Sequence, residues 1–393
     1  MKLYNNKNEI TNKFYNFFKN FTDSKNLLKF LAPLFCSFIN SESITYSKIA
    51  SKLFEDFSSD IKIDSYNRRI SRFLNNHRYN LHSITDEIIA YSLSNFKLAH
   101  SDTNVHISFD HMFSREKFTV LMFTLRIGKQ GVPIYFKCFY GKRLNENHGD
   151  AFKIKEVKEG IKYCHDLIKK IIPNANIIFL ADRWFGNLFP LMDYIDFLGD
   201  TFVMRCKSNM LVFYKPNKEN HKVWMKISDL PHYVHHSAIY KNLEFTRNKF
   251  IYHLVYSKSK DHKEPWLLIT NGDPRKAKAF YGYRFGSIEF LFKSQKSNGF
   301  YLEKTGVRSL HAFDNLYSLV CLASFYLNCL GTEVTMNPRC YKDLGITITK
   351  KKPNSKRPKR CISRFRVGLY LFHMAFNTIK YFRLPTNFKL YDT

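Results

Sequence analysis

Three acids stand where this chain could do chemistry. Asp110 closes the alternating run VHISFD (105–110), and Asp182 closes the apolar run NIIFLAD (176–182). Glu289 is the single acid in YGYRFGSIEFLFKSQK (281–296), among Tyr281, Arg284, Lys293 and Lys296. Two strand ends and a helix laid beside them can bring oxygens together from distant points of a chain. Three carboxylates with no cysteine pair nearby suit hard, oxygen-seeking cations, Mg2+ or Mn2+. Two such ions about 3.5–4 Å apart would clamp the attacking and leaving oxygens of an in-line phosphoryl displacement. Each acid alone also has a plainer reading. A strand-end aspartate is often a turn residue or helix cap, and Glu289 with Lys293 makes an i, i+4 ion pair worth a few tenths of a kcal/mol.

The charge balance says what such a site would act on. Lys and Arg number 62 against 33 Asp and Glu, a net of +29. That points to a polyanionic partner, nucleic acid before an anionic membrane surface. An AT-rich coding bias could raise Phe, Tyr and Lys but would not by itself suppress acids this far. Eight cysteines are scattered without a CxxC pair, which argues against a zinc ribbon or disulfide framework and fits a reducing, cytoplasmic compartment. MKLYNNKNEI carries no apolar core of a signal peptide, so none is expected. The longest apolar run, LYSLVCLASFYLNCL (316–330), falls short of the roughly 20 residues of a membrane span and reads as a buried helix. PHYVHH, with His232, His235 and His236, reads as a surface loop for want of further ligands beside it.

The elements that must position the acids follow from periodicity. At 393 residues the chain suits two or three structural units. Residues 1–100 read as helical, with helices over 26–39, 43–57 and 64–78; the third carries Arg68, Arg69 and Arg72. That basic helix could read DNA in a helix-turn-helix-like unit or be a solvated face. Residues 101–210 read as β-β-β-α-β-α-β, with strands at 105–110, 117–128, 132–141, 176–182 and 200–207 and a helix over 151–172. This is a mixed α/β sheet with helices on its faces. Residues 211–275 read as a mostly β insertion. Residues 276–349 hold the Glu289 helix and the helix at 316–330. Residues 350–393 combine the basic stretch KKKPNSKRPKR, a DNA-backbone contact or a solvated linker, with a C-terminal helix.

The two later blocks resemble a known family. IIFLADRWFGNLFPLMDYIDFLGDTFVMRCKSN is similar to the second conserved block of the DDE transposases of the insertion-sequence IS-four family, where a strand ends in Asp-Arg, a helix follows and the next strand ends in Arg-x-Lys. YGYRFGSIEFLFKSQKSNGF resembles that family's Tyr–Arg–Glu–Lys signature. The gaps from Tyr281 to Arg284 and from Glu289 to Lys296 match it. Four residues separate Arg284 from Glu289 where the signature has three. The likeness runs from about Asp110 to Gly368 and does not extend before residue 100.

The resemblance implies a ribonuclease H-like core, an interrupting β-rich insertion, and two Mg2+ (or Mn2+) ions held by Asp110, Asp182 and Glu289 for strand nicking and strand transfer. It implies that Arg284 and Lys296 grip phosphates near the scissile bond, with Tyr281, Lys293, Arg183 and Lys207 as further DNA contacts. Trp224 or Trp266, in the insertion, would stack a flipped base. The partners implied are double-stranded DNA, at element ends and target, and a second copy of the chain, with the C-terminal helix as candidate contact. No membrane is involved, and the setting is a prokaryotic cytoplasm. Two other readings remain at this point: an inactive DNA-binding remnant, and a nuclease of the same fold without strand transfer.

Overall fold

A computed structural model of the chain describes residues 6–57, 61–95, 104–114, 117–141, 149–215, 221–231, 237–246, 250–258, 264–297, 299–336, 349–350, 359–360, 362–377 and 388. The histidines of PHYVHH and most of KKKPNSKRPKR lie outside the described residues.

Among the described residues, the helices α1 Asn6–Phe18, α2 Lys25–Ser41, α3 Tyr46–Phe57, α4 Ile63–Leu74 and α5 Leu81–Ser94 precede the first strand. Ser24 and Asn80 start α2 and α5 by accepting from the amides of Leu27 (3.4 Å) and Ser83 (3.0 Å), the usual satisfaction of an orphan N-terminal donor. These helices share one apolar core with the later helices and the sheet. They are tied there by Asn315, whose side chain accepts from the Leu81 amide (3.1 Å) and donates to the Leu74 carbonyl (3.0 Å).

The strands are β1 Asn104–Ser114, β2 Phe118–Ile127, β3 Gln130–Tyr140, β4 Asn176–Ala181, β5 Thr201–Arg205, β6 Leu211–Tyr214, β7 Val223–Lys226, β8 Ala238–Phe245, β9 Phe250–Ser257 and β10 Trp266–Thr270. All join one sheet in the order β3-β2-β1-β4-β5-β10-β9-β8-β6-β7. β1 to β3 form an antiparallel meander, and β4 and β5 run parallel to β1. The helices α6 Gly149–Ile171 and α7 Phe189–Phe197 are the crossovers that parallel pairing demands. The protein is therefore mixed α/β, and residues 211–275 extend the sheet beyond β5.

Alternation along β4 separates the two faces. Ile177, Phe179 and Ala181 pack into the core that holds Val157, Ile161, Cys164 and Ile168 of α6. Ile178 and Leu180 face the other way and cluster with Val203, Val255, Leu268, Ala277 and Tyr281. The last two belong to α8 Pro274–Arg284, which is followed by a π-helical turn Phe285–Glu289 and α9 Phe290–Lys296. Where the periodicity suggests one plain helix, the Glu289 segment is an α–π–α run across this face.

Two long helices complete the core, α10 Leu310–Met336 and α11 Arg364–Asn377. The apolar side of α11, including Phe365, Leu369, Phe372 and Phe376, is buried within this chain. Tyr370, on the same helix, is 43 % exposed. Among the described residues, no single helix is long and apolar enough to cross a membrane.

Candidate active site

The two aspartates owe their proximity to strand register. In the parallel pair β1–β4, Ser108 lies opposite Leu180. Two residues further on, Asp110 and Asp182 are on the same face of neighbouring strands, which lie about 4.8 Å apart. Contrary to the strand-end expectation, β1 does not stop at Asp110. It runs on to Ser114, with Asp110 opposite Met122 of β2. Its carboxylate is presented by the pleat rather than by a turn. Asp182 does leave its strand. Its Oδ1 accepts from the Trp184 amide (2.8 Å), and its carbonyl accepts from the amides of Phe185 (3.1 Å) and Gly186 (3.2 Å). The turn role is real, and the second carboxylate oxygen is left over for other work.

Glu289 reaches them through the π-turn. In an α-helix each residue rotates by about 100°, so i and i+4 share a face and i and i+5 do not. Arg284 and Glu289 are five apart, yet Arg284 Nη1 donates to Glu289 Oε1 at 2.7 Å. The wider π-turn between them absorbs the extra residue. It is pinned to β1 by Ser287 Oγ, 2.9 Å from Ser108 Oγ. It also presses on β3 at Gly131, where a Cβ would lie 2.7 Å from the Ser287 backbone. Only glycine permits that approach. Arg284 Nη2 donates in turn to Asp110 Oδ2. The ion-pair partner of Glu289 is thus Arg284 and not Lys293, which is exposed. Lys296 pairs with Glu303 at 3.4 Å.

The electrostatics follow from that crowding. Burial raises the pKa of Asp110, the charges of Asp182 and Glu289 raise it further, and Arg284 and the His111 amide pull it back. The net is a carboxyl pushed up to about 7. Burial opposes the charge on Arg284, but Asp110, Tyr281, Asp182 and Glu289 together outweigh it and keep it a cation. Three carboxylates therefore share one buried guanidinium. Among the described residues, no three His, Cys, Asp or Glu side chains are arranged to hold a metal ion; Arg284 lies between Asp110 and Glu289. The side chains that would face an ion, Asp110, Asp182 and Glu289, offer only oxygen donors, the kind that Mg2+ or Mn2+ takes.

The remaining sequence candidates separate into groups. Tyr281 is buried, edge-on to Trp266 (5.1 Å between ring centres), and burial raises its pKa within the field of Arg284, Asp182, Arg205 and Glu289. Trp266 stacks on Phe285 (5.5 Å) and so supports the active helix. Trp266 itself is half-buried. Trp224 lies on β7 at the far edge of the sheet, 38 % exposed beside Phe213. Arg183 and Lys207 line one cleft of about 420 Å3, together with Arg205. Glu264 bridges Arg183 (3.1 Å) and Arg205 (3.0 Å) there.

Two features escape sequence reasoning. Arg205 and Glu264 are joined only by the sheet. Lys153 is 2 % exposed on α6, and its Nζ donates to the Trp184 carbonyl at 2.9 Å. A signal for it exists: Lys153 falls on the apolar stripe of Val157, Ile161, Cys164 and Ile168. Neither protein-family models nor curated proteins match the chain.

Proposed function

We propose that this chain is a DDE transposase with a ribonuclease H-like core, cutting DNA strands at the ends of an insertion sequence and joining the freed 3′ ends to target DNA. The observation that carries the reading is the convergence of Asp110, Asp182 and Glu289 on one sheet face around Arg284. The strand order β3-β2-β1-β4-β5, with an antiparallel meander followed by parallel strands, supports the core assignment. The net charge of +29 supports a DNA partner. So do Arg68, Arg69 and Arg72, all exposed on α4.

Asp110, Asp182 and Glu289 would hold two Mg2+ or Mn2+ ions. When bound, these supply Lewis-acid stabilisation of the phosphoryl oxygens and acidify the attacking hydroxyl. Arg284 is poised to exchange its carboxylate partners for a phosphate oxygen, to which its fork is equally suited. Water attacks phosphorus and the P–O3′ bond breaks, leaving a 3′-hydroxyl; that hydroxyl then attacks a phosphodiester of the target, whose own P–O3′ bond breaks to release a target 3′-hydroxyl. Synapsis of two ends calls for two copies of the chain.

The test is cleavage of a labelled duplex carrying the DNA that flanks this gene, with Mg2+ or Mn2+ against EDTA, followed by a strand-joining assay. Nicking at the element boundary and joining of the 3′ end support the reading. Nicking without joining leaves a nuclease, and binding without nicking leaves a DNA-binding remnant.

The basic cleft yields a separate prediction. Glu264 holds two arginines as a phosphate would, so Glu264→Gln should tighten duplex binding about threefold at low salt, in keeping with an exposed pair. The gain should vanish at high salt as screening takes over. Unchanged affinity at low salt would remove the cleft from the DNA path.

A further inference from the structure

Lys153 is a buried ammonium with an unusual set of neighbours. Its Nζ lies 3.0 Å from the centre of the Trp184 ring and 5.1 Å from that of Phe185, and donates to the Trp184 carbonyl. The Trp184 indole also meets the His111 ring, 3.8 Å between centres and tilted to it. Both aromatic members of this cluster adjoin a carboxylate of the site. The His111 amide donates to Asp110 Oδ1 (2.8 Å), and the Trp184 amide donates to Asp182 Oδ1 (2.8 Å). Burial opposes the charge on Lys153 and lowers its pKa to about 8, with Asp150 and Asp182 working the other way. An isolated ammonium would not remain there without compensation. The indole face and the carbonyl supply it.

We propose that Lys153 is a positioning residue: with Trp184 and His111 it forms a clamp that locks the Asp182 turn to the Asp110 strand and sets the spacing of the two aspartates for metal. The inference rests on the metal-site reading above. Any ammonium buried on α6 needs an acceptor; here the acceptor is the carbonyl of Trp184, whose amide holds Asp182, so the bond that satisfies Lys153 also ties down that turn. Groups one step removed from the ligands fix ligand orientation in this way, and losing one commonly costs about 10–100-fold in metal affinity.

The experiment is Mn2+ binding by electron paramagnetic resonance on the full chain, with and without the flanking duplex, alongside cleavage rates and melting curves. Lys153→Met keeps the aliphatic stem and removes the ammonium. It should weaken Mn2+ binding about tenfold or more, while Lys153→Arg, which can still donate to the carbonyl and stack on the indole, should recover most of the loss. Cleavage by Lys153→Met should fall at limiting Mn2+ and return toward the wild-type rate at saturating Mn2+. Val157→Ala, one turn along the same buried stripe and away from the Trp184 carbonyl, controls for general loosening of α6. Mn2+ affinity unchanged in Lys153→Met overturns the clamp, and so does an equal loss in Val157→Ala. A wild type that binds Mn2+ but cuts no DNA overturns the transposase reading and leaves the clamp to be judged on binding alone. A wild type that binds no Mn2+ overturns both.

Discussion

Replacing Asp110 by asparagine is expected to abolish metal-dependent strand cleavage while raising the melting temperature of the metal-free protein at pH 8. The loss follows from removing one of three carboxylates proposed to hold the ions, and should reach about 10³-fold or more. Asp182→Asn and Glu289→Gln should share it. The gain is peculiar to Asp110. Its folded pKa is raised from the ordinary carboxylate value to about 7, burial being the largest cause. A carboxyl raised on folding favours the native state at low pH, and that contribution drains away as pH climbs from about 4 through about 7. At pH 8 the wild type thus carries an ionised, buried carboxylate that the unfolded chain holds more comfortably. Its ion pair with Arg284 offsets part of this, but the direction of the shift says that burial and the two neighbouring carboxylates win. Asparagine has no charge to bury. Melting curves at pH 5 and pH 8 should show the variant gaining a few degrees over wild type at pH 8 and little at pH 5. Added Mg2+ should then stabilise the wild type and not the variant. An Asp110→Asn protein that melts lower than wild type at pH 8 would refute the account of the site as charge-strained. The activity loss without that gain would point to Arg284 as the dominant partner.

How much of this was legible in the sequence depends on the range of the interaction. Alternation locates β1, a continuous apolar run locates β4, and the acid that closes that run marks Asp182. What local pattern cannot carry is register. Nothing in VHISFD or NIIFLAD says that Ser108 will face Leu180, because parallel pairing is decided by the crossover helix and the packing on both faces. The same limit hid Glu264, which meets Arg183 and Arg205 only across the folded sheet. The contacts of Trp266 are hidden in the same way, because Tyr281 and Phe285 arrive from a later helical segment. Lys153 was a different case. Its position on an apolar stripe is visible, but in a chain with 62 basic residues a lysine on an amphipathic helix is not distinctive by sequence. The packing of α11 is likewise tertiary: its apolar run is legible in the sequence, but the segments that cover it are not.

The one-residue departure from the Tyr–Arg–Glu–Lys signature is the most informative of these cases, because it makes a prediction that runs against intuition. Deleting a residue from an active-site helix ordinarily rotates everything beyond it by about 100° and destroys the site. Here the extra residue is already taken up as a π-turn, so removing it should return the segment to a continuous α-helix with both flanks in place. Gly286 is the residue to remove. It is exposed, whereas Ser287 and Ile288 are buried and Ser287 is bonded to Ser108. In the shortened chain the glutamate stands four residues after Arg284, the spacing at which an α-helix holds two side chains on one face. Cleavage should survive within about tenfold of wild type, a rise of at most about 1.4 kcal/mol in the barrier. Inserting one alanine between Gly286 and Ser287 should do the opposite. The glutamate would then stand six residues after Arg284, a spacing that neither turn closes, and cleavage should fall by about 10³-fold or more, as for loss of the carboxylate itself. Nicking rates of the two variants on the flanking duplex, with circular dichroism to confirm folding, decide the matter. If the deletion is as dead as the insertion while both fold, the π-turn is part of the working geometry and not an absorbed insertion. In that case the five-residue spacing sets where the carboxylate of Glu289 meets its metal.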